Sequence, residues 1–203
     1  MYAPRKIVCL ETYWSDHKGR VFQNTSVRPF LEALGSHFDP PIRIAHRFVD
    51  TFAHLSHYVA RPDGLFWRDA EVFDAPVFYL SFHGSPGTLL SALENVGAET
   101  LCKAFEQWGA SYENLVYFGA CRVFEDAAGE AFARAFLASS RCRAIIGYTA
   151  SIDWLDSMMA DLLFLKRFFS SEAPWENLRA IHNSVVSDFA PARALGYTLR
   201  TQA

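Results

Sequence analysis

Five short apolar runs, separated by segments of helical length, constrain the fold of this 203-residue chain more than any other feature. Each run is rich in β-branched or aromatic residues and is short enough to be a single strand. The runs cover residues 6–10, 42–46, 77–82, 114–118 and 144–148. Near-continuous apolar strands that alternate with helices favour right-handed crossovers and burial on both faces. The sequence therefore predicts an α/β fold, with helices on both faces of a mainly parallel, doubly wound sheet.

Helical periodicity occupies the segments between these runs. Ser26 is a candidate N-cap with Pro29 three positions further on, and Pro174 opens a helix that runs towards Phe189. Further segments with helical spacing cover residues 97–108, 130–137 and 154–169. The chain contains no internal repeat, low-complexity tract or Gly/Ser linker, so we expect residues 1–203 to form one domain.

The net charge and the distribution of charged residues argue against two classes of protein. Lys and Arg number 19 against 22 Asp and Glu, so the net charge of -3 gives no basis for nucleic acid as a partner. The longest stretch without Asp, Glu, Lys or Arg, residues 75–93, is interrupted by His83, prolines and glycines, so we expect no membrane span.

The four cysteines follow no pattern of a zinc site or a disulfide framework. They stand at positions 9, 102, 121 and 142, and no two of them form a CxxC pair. They are typical of reduced thiols in a cytoplasmic protein, and three of them, Cys9, Cys102 and Cys142, are best interpreted as small buried residues. His54 and His57 share a spacing that suits one helix face, but no further ligand completes a metal set.

Two residues with catalytic chemistry stand at the ends of predicted strands. His83 follows the third run and precedes Gly84, and Cys121 follows the fourth run after Gly119 and Ala120. The carboxyl ends of parallel strands meet at one edge of a doubly wound sheet, where ligands bind. We therefore expect the imidazole and the thiol to share that edge.

A thiol beside an imidazole is suited to acyl transfer. The thiolate attacks a carbonyl carbon, and the imidazole protonates the leaving amine. The backbone N–H groups of Gly84 and Cys121 are candidates for holding the oxyanion. Gly119 and Ala120 are small enough to leave room for a substrate backbone, so we count them as candidate substrate-binding residues.

The segments Phe82-His83-Gly84 and Gly119-Ala120-Cys121, in this order, resemble the caspase-like (clan CD) cysteine peptidases. The third strand and turn, residues 146–154, are similar to those of bacterial CHAT-type members, and the likeness extends over residues 5–155. The resemblance implies a caspase-like three-layer sandwich, His83 as proton carrier and Cys121 as nucleophile, acting on a peptide or protein substrate. It implies no cofactor, and any activating protein would be a separate chain. Val123 departs from the caspases, which have glycine there.

Two other functions remain open on the sequence alone. Cys121 is also compatible with the nucleophile elbow of a thiol hydrolase or an amidotransferase, whose histidine follows the nucleophile and would be His182. The elbow usually has glycine at the position of Val123. Alternatively, the domain is a binding or signalling module that has lost its catalysis, since a fold persists without its chemistry.

Two carboxylates lead us to expect a preference for a basic side chain before the scissile bond. Glu11 follows the first strand and Asp153 follows the fifth, which places both at the rim that holds His83 and Cys121. Two carboxylates at the mouth of a cleft would favour a cationic side chain, and a bidentate ion pair with arginine is the strongest contact of this kind. Arg122 would instead favour an acidic substrate, but we expect it to point away from the cleft. Asp153 has an equally good alternative role as the N-cap of the helix that follows it.

Overall fold

The computed structural model describes residues 5–13, 26–60, 64–68, 76–91, 93–106 and 113–202. Their main feature is a six-stranded sheet. The bounds of its strands are β1 Lys6–Glu11, β2 Arg43–Phe48, β3 Val77–Ser81, β7 Leu115–Gly119, β8 Ala144–Tyr148 and β9 Tyr197–Thr201. The strands lie in the order β2-β1-β3-β7-β8-β9. The first five of them run parallel, and the edge strand β9 pairs antiparallel with β8.

Helices cover both faces of this sheet, and the sequence spacing of their apolar residues explains which side each one buries. The described helices are α1 Arg28–Ser36, α2 Phe52–Val59, α3 Leu65–Arg68, α4 Ala98–Ala104, α5 Asp126–Ser140, α6 Trp154–Ser170, α7 Leu178–Asp188 and α8 Ala190–Ala194. Helices α2 to α5 pack on what we call the α5 face, around Phe78, Phe118 and Phe136. Helices α1, α6, α7 and α8 pack on the α6 face, around Tyr79, Tyr117 and Phe164. The result is a three-layer sandwich.

Strand residues alternate between the two cores, which fixes where each functional residue points. In β7, Val116 and Phe118 contribute to the α5 face, whereas Leu115 and Tyr117 contribute to the α6 face. All five β7 side chains are buried, as expected for a strand covered on both sides. The near-continuous apolar runs of the sequence thus reflect two-sided burial.

A second, smaller sheet follows β3 directly. Its three antiparallel strands are β4 His83–Ser85, β5 Thr88–Leu90 and β6 Asn95–Gly97. Strands of three residues carry too little periodicity to be recognised in a sequence, so none of the three was predicted. Their position matters because β4 begins at His83.

The predicted sheet is confirmed, with corrections in detail. All five predicted strands are present, and β1 lies beside β3 as a doubly wound order requires. Helices α2, α3 and α8 and the antiparallel edge strand β9 were not predicted. The last predicted helix starts later than Pro174, because α7 begins at Leu178. Residues 107 and 108 of the predicted helix 97–108 lie outside the described residues.

No helix in the described ranges is long and apolar enough to cross a lipid bilayer.

Candidate active site

The ends of β3 and β7 bring His83 and Cys121 to the same place on the sheet edge. Ser81 pairs in register with Gly119, and the N–H of Phe82 donates to the carbonyl of Gly119 at 3.3 Å. His83 lies two residues beyond Ser81, and Cys121 lies two residues beyond Gly119. Neighbouring strands are about 4.8 Å apart, so the two candidates follow equivalent positions on adjacent strands.

Gly84 packs directly against the backbone of Cys121. A Cβ atom at position 84 would lie 2.3 Å from the carbonyl oxygen of Cys121 and 3.2 Å from its nitrogen. It would also lie 3.0 Å from the Cβ of Ala120. No side chain fits there without displacing backbone, so the glycine after His83 permits the close approach of the two segments.

The turn after Cys121 is hydrogen-bonded to the end of β8, to the segment just beyond it and to the turn between β4 and β5. The N–H of Arg122 donates to Ala150 at 3.0 Å, and that of Phe124 donates to Tyr148 at 3.0 Å. The N–H of Gly87 donates to Val123 at 3.0 Å. Arg122 has a φ of 56°, a left-handed conformation that costs a residue with a side chain about 1–3 kcal/mol. The surrounding hydrogen bonds offset that cost and fix the backbone around the thiol.

Accessibility distinguishes Cys121 from two of the other three cysteines. Cys9 and Cys142 are buried, whereas Cys102 and Cys121 are partly exposed, and all four are free thiols. Burial raises the pKa of Cys142 to about 12 and also raises the pKa of Cys9 and of Cys102. A thiol with a raised pKa is a poor nucleophile at neutral pH, because only the thiolate attacks.

His83 is exposed at the surface of the edge, yet partial burial of its ring lowers its pKa. The cause is the cost of desolvating the imidazolium. A lowered pKa keeps the imidazole neutral at pH 7, which is the form that accepts a proton.

Gly119 and Ala120 are buried and do not line an open surface. A Cβ at position 119 would lie 2.9 Å from the hydroxyl oxygen of Tyr79, so the space beside Gly119 is filled by a tyrosine. Ala120 belongs to the core of the α5 face. Our expectation that these small residues leave room for a substrate backbone is not supported for their side-chain positions.

Glu11 occupies the predicted edge, but it is fully buried and does not stand at the mouth of a cleft. One carboxylate oxygen lies 2.6 Å from Nε2 of His46 on β2, and it also accepts from the hydroxyl of Ser26 at 2.7 Å. The other oxygen accepts from the N–H of Val27 at 2.9 Å, just before α1. The expected role of Glu11 in holding a basic side chain is therefore corrected. It joins β1, β2 and the start of α1.

Asp153 caps α6, as the alternative interpretation proposed. Its Oδ1 accepts from the N–H groups of Leu155 and Asp156, both at 3.0 Å, and the side chain is exposed. Arg122 forms an ion pair with Glu125 in the turn that precedes α5. Both residues thus have local roles at the rim.

His182, the partner that a nucleophile elbow would require, lies in a different part of the fold. Its ring stacks on Tyr197 with centroids 5.2 Å apart, and its Nε2 lies 3.3 Å from the carbonyl oxygen of Tyr197. Tyr197 begins β9, which is separated from β7 by β8. The register of the sheet favours His83 over His182 as the partner of Cys121.

A buried aspartate that is hydrogen-bonded to three tyrosines lies beneath this edge on the α6 face, and it was not predicted from the sequence. Asp161 of α6 is 1% exposed and accepts hydrogen bonds from the hydroxyls of Tyr79, Tyr117 and Tyr148. Burial raises the pKa of Asp161 to about 6, and the three hydroxyls oppose that rise. The signal was an aspartate inside an apolar helix together with one tyrosine on each of three strands. We call this group the tyrosine cluster.

No group of three or more His, Cys, Asp or Glu residues in the described part of the chain is arranged to hold a metal ion.

Comparison with known proteins gives a match in fold but none in sequence. No family model and no curated protein matches the chain. Among solved structures, the chain is similar to a secreted C11 cysteine protease from Bacteroides thetaiotaomicron, determined with an irreversible peptide inhibitor. The TM-score is 0.54 at 10% identity, and the match covers 90% of this chain. It spans 59% of the protease chain, so this protein corresponds to just over half of that structure.

The class of fold follows from this match and from the topology. A mainly parallel six-stranded sheet between two helical layers, in the order found here, is the caspase-like α/β fold. At 10% identity the likeness establishes the fold alone, and function has to be argued from the site.

Proposed function

We propose that this protein is a cysteine endopeptidase in which Cys121 is the nucleophile and His83 is the general acid and base. The observation that carries the proposal is the contact of Gly84 with the Cys121 backbone, which fixes the two strand ends against each other. The likeness to a cysteine protease fold supports it. The finer likeness to bacterial CHAT-type domains rests on residues 146–154 and belongs to the same proposal.

The reaction proceeds in two halves on these two residues. The Sγ of Cys121 attacks the scissile carbonyl carbon while its proton passes to the imidazole of His83. The C–N bond then breaks, and His83 returns the proton to the leaving amine. Water gives a proton to His83 as it attacks the thioester carbonyl carbon. The C–S bond then breaks, which releases the new carboxyl group, and His83 returns the proton to Sγ of Cys121. The backbone N–H groups of Gly84 and Cys121 are the proposed donors to the oxyanion.

These steps define the partners of the site. The substrate is a peptide or a protein, and the dyad supplies both the nucleophile and the proton transfers without a metal or an organic cofactor. An activating protein would be a separate chain. The free cysteines agree with the cytoplasm, our proposed location.

The proposed preference for a basic residue before the scissile bond now rests on Asp153. Glu11 is buried by Ser26, Val27 and His46 and is not available to a substrate. Asp153 uses Oδ1 for both of its capping bonds, so its second oxygen is the remaining candidate acceptor for a lysine or arginine side chain. Cleavage of a peptide library by the parent protein and by Asp153→Asn tests this preference. The asparagine keeps a capping oxygen but removes the charge, so a preference for Lys or Arg before the scissile bond should be lost in this variant. Enrichment of acidic or apolar residues at that position would reject the preference.

The decisive experiment is covalent labelling with an irreversible peptidyl electrophile, read by mass spectrometry of the intact protein and of its peptides. We expect a single adduct on Cys121 that is lost in Cys121→Ala and in His83→Ala. Cys102→Ala is the matched control, because Cys102 is the other partly exposed thiol, and this variant should label as the parent does.

The same experiment separates the proposal from its alternatives. Loss of labelling in His182→Ala but not in His83→Ala would support the elbow arrangement. Absence of labelling and of cleavage, with and without candidate activating proteins, would support a catalytically silent module.

A further inference from the structure

A polar cleft lies at the edge of the sheet opposite the candidate active site. Its volume is about 510 Å³, within the range of small-molecule sites. Its wall includes Glu113 before β7, Arg141 and Arg143 before β8, and Thr201 at the end of β9. Cys121 lies eight residues beyond Glu113 along an extended strand, so the cleft is on the order of 25 Å from the thiol.

Three arginines line this cleft, two from the connection between α5 and β8 and one from α7. Arg141 ends α5 in a left-handed conformation with a φ of 54°. Arg143 stacks over Trp175 at 5.6 Å from the ring centroid and forms an ion pair with Glu113. Arg179 on α7 donates to the hydroxyl of Thr201 at 3.5 Å. An aromatic ring and a carboxylate therefore hold the side chain of Arg143, and a hydroxyl holds that of Arg179.

Two of these three positive charges are not neutralised within the described chain. Only Arg143 has an acidic partner, and neither Arg141 nor Arg179 forms an ion pair with a residue that the structure describes. Glu176 is the other carboxylate of the wall.

We propose that this cleft binds a compact phosphate-bearing small molecule. Guanidinium groups match phosphate oxygens through paired hydrogen bonds, and one phosphate group has enough oxygens to engage Arg141 and Arg179 together. An extended polyanion is disfavoured by the two carboxylates in the wall and by the net charge of -3. Five of the nine residues that line the cleft are charged, which also disfavours a wholly apolar ligand.

The test uses pyrophosphate as the probe, with isothermal titration calorimetry of the whole chain at about 150 mM KCl, near physiological ionic strength. We expect saturable binding at one site, weakened about tenfold or more in Arg141→Gln and in Arg179→Gln. Arg193→Gln is the matched control, because it removes an equal charge from an exposed position on α8 outside the cleft. Its affinity should equal that of the parent protein.

Two further measurements keep the test independent of folding defects. Thermal unfolding without ligand should give the same midpoint for all three variants. In the parent protein, the indole N–H resonance of Trp175, assigned with Trp175→Phe, should shift as pyrophosphate is added.

Four results would overturn the proposal. Sulfate at equal ionic strength displacing pyrophosphate with equal affinity would mean general screening of charge. A hexaglutamate peptide that binds more tightly than pyrophosphate would assign the cleft to an acidic protein segment. Equal weakening in Arg193→Gln, or no binding to the parent protein, would remove the site. None of these outcomes depends on peptidase activity.

Discussion

Replacing Asp161 with asparagine should change how the stability of the protein depends on pH. The carboxyl group is fully buried and its pKa is raised from 3.8 to about 6, because desolvation disfavours the charged form. The folded state thus retains the proton more strongly than the unfolded chain does. This contribution is fully present below about pH 4 and is lost as the pH rises through about 6.

The size of the effect follows from the same shift. At about 1.4 kcal/mol per pKa unit, the rise corresponds to about 3 kcal/mol of unfolding free energy. An asparagine side chain at this position would keep the shape without a titrating group. The difference in unfolding free energy, parent minus Asp161→Asn, should therefore fall by most of this amount, about 2 kcal/mol, between pH 4 and pH 7.

Urea unfolding at constant ionic strength, at each half pH unit across this range, measures the difference directly. Tyr79→Phe provides a second variant, because it removes one hydroxyl that hydrogen-bonds to the carboxylate. The loss of that donor should raise the pKa of Asp161 further, so the pH at which the stability contribution is half lost should be higher. A difference that is flat or that increases with pH would refute the assignment of Asp161 as a desolvated acid.

Three further predictions concern the candidate active site. Gly84→Ala places a methyl group 2.3 Å from the carbonyl oxygen of Cys121. The resulting displacement of about 1 Å should slow cleavage or electrophile labelling by about 10²-fold or more. An unchanged rate would show that the contact is not needed. Iodoacetamide should modify Cys121 before Cys142, because burial raises the pKa of Cys142 to about 12. Mass spectrometry of timed samples measures the order, and earlier modification of Cys142 would contradict this prediction. Asp153→Ala removes the cap of α6 and should lower the unfolding free energy by about 1 kcal/mol, whereas Asp153→Asn should lower it less; equal losses would argue against capping.

The sheet was predictable because its central strands are buried on both faces. The run 144–148 coincides with β8, and every residue of that strand is buried. By contrast, β9 has one fully buried residue, Tyr197, and its other positions are only partly covered. An edge strand of this kind lacks the continuous apolar run by which the central strands were recognised.

The shared sheet edge of His83 and Cys121 was predictable for a related reason, whereas the contacts of Glu11 were not. His83 and Cys121 each follow an apolar run directly, and parallel strands align their carboxyl ends. The partners of Glu11 are distant in sequence, since His46 lies 35 positions away. Only the order β2-β1-β3 brings His46 next to Glu11, and the sequence did not specify the position of β2.

The contact between Gly84 and Cys121 has a mechanical consequence. Backbone touches backbone there, and the neighbouring bond from Gly87 to Val123 also joins main-chain atoms. The spacing of the two strand ends is thus set by the main chain and not by the rotamers of long side chains, which exchange on faster timescales. The two catalytic candidates should move as one rigid body, so an activating event would act by opening or shaping the surroundings of the dyad, not by drawing its two halves together.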